Sequence, residues 1–229
     1  MIGFFHHYFV EPFASLIHLT ASFFDGSYGM AIIIITLVIR LILSPFMLKQ
    51  YKNQQQMRVK MDLIKPEMDE IKKRMKEEKD PAVQRKMQQE MLELYKKHNM
   101  SPLSFGCLPI LIQMPILMGF YYAIRGSKEI ASHTFLWFNL GHPNIILAIV
   151  AGIIYYLQFK VQQSNMPKAQ AQSMKWMGLI SPIMILFVSI NAPAALPLYW
   201  SVGGLFLIGQ TLFAKAYLTK KEPEKAIQT

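Results

Sequence analysis

The 229-residue sequence predicts an all-α, polytopic membrane protein: five transmembrane helices, an amphipathic interfacial helix before them, and an antiparallel helical hairpin in water between the first two. Three observations predict it. Hydrophobic residues make up 52% of the chain and gather in runs long enough to cross a hydrocarbon core as α-helix. Basic residues alternate between plentiful and scarce in the segments separating those runs. Segment 51–100 breaks the pattern, setting a heptad of apolar residues in a strongly charged background. A net charge of +10 would suggest a nucleic-acid partner for a soluble chain. Here it is topogenic charge on loops, and no specific nucleic-acid recognition is expected.

Residues 1–27 form the interfacial unit. Phe4–Phe24 is rich in aromatics, carries His6, His7 and His18, and is interrupted by Glu11-Pro12 near its middle. This is the pattern of an amphipathic helix lying in the outer interface rather than of a span. No Lys or Arg precedes the apolar stretch, unlike a cleavable signal peptide.

The first span covers 28–50, centred on the twenty-residue apolar run Gly29–Leu48. Arg40 lies near its midpoint, where an arginine costs at least ~2.5–3.5 kcal/mol to insert. Thr36 and Ser44 lie four residues to either side, so the three share one helix face.

Segment 51–100 holds thirteen Lys/Arg and nine Asp/Glu. Met57, Met61, Ile64, Met68, Ile71 and Met75 recur at alternating steps of four and three, a heptad seam. Asp80-Pro81 supplies an N-cap and a first helical residue, and Val83, Met87, Met91 and Leu94 resume the stripe. Two helices joined so tightly run antiparallel. Pro66 is expected to kink the first arm.

Spans two to five fill 101–218: Leu103–Ile124, about Asn144–Val161 with Pro143 at a favourable start, about Met174–Ile190, and Leu196–Ala214. Residues 219–229 form a tail. Segment 1–28 has no Lys or Arg, 125–142 has only Arg125 and Lys128, and 191–195 has none. The hairpin, the 160–175 loop and the tail are basic. The positive-inside rule therefore puts the N-terminus outside and the C-terminus in the cytoplasm, with a cytoplasmic hairpin.

Catalytic motifs are missing: no HExxH, GxSxG, paired intramembrane carboxylates or glycine-rich phosphate loop. The chain is not expected to be an enzyme or to hold a metal or cofactor. Cys107 excludes an internal disulfide and reads as a small buried apolar residue. The informative polar residues are Gln113 in the second span, Gln158 with Tyr155 in the third, and Tyr199, Trp200 and Gln210 in the fifth. Each glutamine is compatible with an interhelical hydrogen bond, and the aromatic pair with an interfacial belt. Arg40 is less easily satisfied, since no predicted span contains Asp or Glu. A water-filled pocket around it follows.

The string Gly106-Cys107-Leu108-Pro109-Ile110-Leu111-Ile112-Gln113-Met114-Pro115-Ile116, with Arg40 before it and Leu196-Pro197-Leu198-Tyr199-Trp200 and Gln210 after it, resembles the YidC/Oxa/Alb family of membrane protein insertases. The resemblance covers about residues 5–218 and is to the short, Gram-positive-type bacterial form. It implies an insertase and chaperone of the bacterial plasma membrane, with a hydrophilic groove open to cytoplasm and lipid and closed outside. Arg40 matches the family's conserved groove arginine, Tyr199 and Trp200 its substrate-contacting aromatics, and Gln113 and Gln210 its polar lining or packing positions. The implied partners are nascent membrane proteins and the bilayer, with the ribosome and a Sec-type translocon as further candidates. One chain suffices to build such a groove, so a monomer suffices for function. The alternative is a small-solute or anion transporter using Arg40 as its binding site. It lacks the internal repeat such proteins carry.

Overall fold

In the computed structural model, the described residues are 6–78, 80–98, 107–164 and 175–218. Residues 1–5, 79, 99–106, 165–174 and 219–229 lie outside them, as do the side chains of residues 6, 9, 107–110, 175–177 and 218, that of Cys107 included.

A π-helical turn, His6–Val10, leads into α1 (Glu11–Ser22). Glu11-Pro12 is thus not a break within a longer helix. Proline occupies the first turn, where its missing N–H costs nothing. Asp25 and Gly26, both at positive φ, reverse the chain. Ser27 then caps α2 (Tyr28–Glu77), its hydroxyl accepting from the Met30 N–H.

Helix α2 runs for 50 residues through Pro45 and Pro66, so the predicted first span and hairpin arm are a single helix. Its partner α3 (Pro81–Lys97) starts as predicted, with Asp80 Oδ1 accepting from the Ala82 N–H at 2.8 Å. Met61, Ile64, Met68 and Ile71 are buried against Leu94, and Met57, Met87, Met91 and Tyr95 close the seam. The Tyr95 hydroxyl donates to Met68 Sδ, and burial pushes its phenol pKa up.

The remaining helices are α4 (Cys107–Gly126), α5 (Lys128–Ser132), α6 (Ile145–Gln163), α7 (Lys175–Asn191) and α8 (Ala195–Leu218). Asn144 caps α6 by accepting from the Leu147 N–H, so Pro143 stands just before the cap rather than in the first turn. Between α5 and α6, β1 (Thr134–Phe135) and β2 (Phe138–Asn139) pair antiparallel, two short strands the apolar pattern did not announce. Backbone bonds tie this loop to the start of α8: Ala194 N–H donates to His142 O and Ala195 N–H to Leu140 O.

Helix α6 packs against α7 and α8, and α8 against α2. Among the described residues, α2, α6 and α8 are long and apolar enough to cross a membrane, and Gly178–Asn191 is a shorter apolar helix. Their outer faces are apolar and exposed, as lipid demands, with Leu41, Ile42, Ile153 and Leu205 pointing away from the core. At the end of the bundle farthest from the hairpin, His18 Nδ1 lies 3.0 Å from the Tyr28 hydroxyl, which donates to Glu129. This cluster ties α1 and α5 to the start of α2.

Candidate functional site

Arg40 is buried, with 6% of its surface accessible, on the face of α2 turned to α8. Two small residues make the room. A Cβ at Gly203 would sit 2.8 Å from Arg40 Nη2, and one at Gly204 would meet Ile154 of α6 at 2.6 Å. The glycine pair thus lets α8 close on both neighbours while leaving a slot for the guanidinium. Tyr155 of α6 and Tyr199 of α8 lie within electrostatic reach of the cation. Among the described residues no ion pair or hydrogen bond holds it.

Of the stripe read from the sequence, the two flanking hydroxyls are engaged. Thr36 donates to Ile32 O at 2.6 Å, and Ser44 Oγ and O both accept from Gln210 Nε2, at 2.9 and 3.1 Å. Gln210 thereby pins α8 to α2 one turn beyond Arg40. Gln113 Nε2 donates to the Tyr199 hydroxyl, and the Tyr199 ring packs on Phe120 with centroids 4.8 Å apart. Gln158 is different. Its Oε1 is buried without a partner and lies 3.5 Å from where a Gly204 Cβ would be. The Ser201 and Ser189 hydroxyls are buried and unpartnered as well. Each such group carries a desolvation cost unless water or an incoming polar chain meets it. Trp200 does not share the surroundings of its neighbour: it lines a cavity between α4, α7 and the start of α8.

Gly203 and Gly204 were not singled out in the sequence, although adjacent glycines inside an apolar helix are the usual signal of close packing. Among the described residues no group of three or more His, Cys, Asp or Glu side chains is placed to hold a metal.

A helical bundle with apolar outer faces and, among the described residues, three helices long and apolar enough to cross a membrane defines a polytopic membrane protein. Comparison with known proteins narrows the class. Residues 19–222 match the family described as "60Kd inner membrane protein". The chain is 54% identical over 222 residues to "Membrane protein insertase YidC 2" of Listeria monocytogenes serotype 4b (strain F2365), covering 97% of this chain and 81% of that one. To "Membrane protein insertase MisCB" of Bacillus subtilis (strain 168) it is 46% identical over 219 residues, covering 92% and 80%. Its fold is similar to a crystal structure described as "Active YidC insertase crystal structure with the first transmembrane domain resolved", with a TM-score of 0.62 and 27% identity over 90% of this chain. The chain spans about half of that protein, 47% of its length. The chain belongs to the 60Kd inner membrane protein family and, within it, to the YidC membrane protein insertases.

Proposed function

We propose that this chain inserts nascent membrane proteins into the bacterial plasma membrane through a polar groove centred on Arg40. The observation that carries the reading is a buried guanidinium with no partner among the described residues, packed on Gly203, while the orphan oxygen of Gln158 faces the adjacent Gly204. Such an arrangement favours water and visiting anionic groups. The names of its relatives support the insertase role. In this reading α2, α4, α6, α7 and α8 are five spans, with the N-terminus outside and the hairpin in the cytoplasm, a reading supported by the positive-inside rule applied to Lys and Arg.

A substrate's apolar segment rests against the lipid-facing helices while its short outer tail crosses. Bare polar backbone in hydrocarbon is costly, so the tail needs a wet host. Arg40 attracts its acidic residues, Tyr199 borders its path, and Gln113, Gln210, Thr36 and Ser44 hold the walls, while Trp200 faces the separate cavity. The segment then partitions into lipid by apolar transfer. The membrane potential favours outward movement of an acidic tail by ~2.3 kcal/mol per charge per 100 mV. A ribosome and a Sec-type translocon are compatible partners, and one copy of the chain suffices.

The test is co-reconstitution with a single-span substrate bearing an acidic tail, reading the protease-protected fraction. Arg40→Ala is expected to lower insertion about tenfold or more, the loss of ~1.4 kcal/mol of stabilisation for the crossing tail. Arg40→Lys retains a larger share, because charge rather than a planar fork matters in a wet site. Unchanged insertion by Arg40→Ala removes the arginine from the mechanism. Anion flux without insertion moves the reading to the anion transporter.

A further inference from the structure

Between the last turns of α4 and α7 and the first turn of α8 lies a cavity of about 800 Å³, at the end of the bundle farthest from the hairpin. Its body is apolar, formed by Met118, Phe187, Val188 and Trp200, and its polar groups include Arg125 and Asn191. Phe187 is 68% and Met118 43% exposed, so the cavity opens sideways, toward lipid. The Arg125 guanidinium donates to the Tyr121 hydroxyl at 2.7 Å and lies over that ring, 5.6 Å from its centroid. This contact fixes the cation while leaving most of its N–H donors unused. No carboxylate pairs with it among the described residues, and Glu129 bonds instead to Tyr28.

The sequence adds an independent argument. Basic residues are sparse in the segments at this end: none in 1–28 or 191–195, and only Arg125 and Lys128 in 125–142. Arg125 is one of two basic residues in these segments, and its guanidinium stands over an apolar slot.

We propose that this cavity is a selective site for an anionic glycerophospholipid of the leaflet farthest from the hairpin, with an acyl chain between Met118, Phe187 and Val188 and the phosphate on Arg125. A cation over an apolar, laterally open slot matches an amphiphile with a negative head. It does not match a soluble phosphate, which would leave the slot wet, or a neutral lipid, which would leave the guanidinium without its anion.

The experiment is native mass spectrometry of the full chain in detergent, titrated with phosphatidylglycerol and with phosphatidylcholine of the same acyl chains. The wild type is expected to retain one phosphatidylglycerol with about fivefold preference, the factor one basic side chain supplies near an anionic headgroup. Arg125→Gln should bring the preference near one, Arg125→Lys should keep most of it, and Val188→Trp should fill the slot and lose both lipids. Thermal unfolding of each variant checks its fold. If Val188→Trp does not fold, the Arg125 series decides alone. Equal retention of the two lipids by the wild type, or a preference unchanged in Arg125→Gln, overturns the proposal. So does displacement of the lipid by glycerol 3-phosphate at equal concentration. Retention of an apolar single-span peptide in place of phosphatidylglycerol from an equimolar mixture overturns it too, and assigns the cavity to polypeptide.

Discussion

The two halves of α2 obey opposite solvent rules on one unbroken backbone. In the first half Thr36 and Arg40 are buried, while Val38, Leu41 and Ile42 are exposed. In the second half Met61, Ile64, Met68 and Ile71 are buried, and Asp62, Glu67 and Glu70 face out. The first half has lipid outside and an interior that is apolar at Ala31, Ile32 and Ile35 but polar at Thr36 and Arg40, and the second has water outside and an apolar seam within. A buried position in this helix is therefore not always apolar. The decisive variable is which solvent bathes the far face. A buried arginine is tolerable at position 40 because Gly203 leaves it a slot and Tyr155 and Tyr199 lie within electrostatic reach. At position 64 it would have neither.

Ile64→Arg should break the comparison most sharply. An unpaired charge in the fully buried seam costs ~3 kcal/mol or more and should unzip α2 from α3. Hydrogen exchange would rise across 57–98 while the spans stay protected. A protected hairpin in that variant would mean the seam is not its main tie. Gly203→Val comes next. Its side chain needs the space held by Arg40 Nη2, so the guanidinium must move and insertion should fall part of the way toward the Arg40→Ala level. In an Arg40→Ala background it should have no further effect, since the two share one mechanism. Additive losses would separate the slot from the cation.

Smaller effects belong to the hairpin. Asp80→Ala removes the cap of α3 and should cost ~1 kcal/mol, seen as faster exchange in its first turn alone. Arg74→Ala breaks a half-exposed ion pair with Glu90 and should leave hairpin exchange unchanged at physiological salt. A clear loss there would show that the hairpin depends on surface charge as well as on its seam.

Much of this was legible in the sequence because the signals are periodic. The Met–Ile heptad places the seam, and Asp80-Pro81 marks the start of α3. The runs around Arg40, 144–161 and 196–214 mark α2, α6 and α8. What escaped is held by tertiary contacts rather than by pattern. Strands β1 and β2 are two residues each, and their loop is anchored by bonds from Ala194 and Ala195, some fifty residues away. The His18–Tyr28–Glu129 cluster joins three elements that no local rule brings together. At the site, the arginine and its helix face were readable. The engagement of Thr36 and Ser44, and the glycine slot opposite, depend on how α8 meets α2. Tyr199 and Trp200 looked like one aromatic pair, but a helix turns about 100° per residue, and they face different surroundings.

Continuity of α2 also has a mechanical side. Fifty residues of helix make a rod ~75 Å long, with no loop between the seam and Arg40. A push or twist on the hairpin is delivered to the bundle as torque along a backbone, not absorbed in a linker. The rod's compliant points are its prolines, where a hydrogen bond to the preceding turn is missing. Pro45 frees the carbonyl of Leu41, the residue after Arg40, so the shaft yields most easily beside the cation it carries.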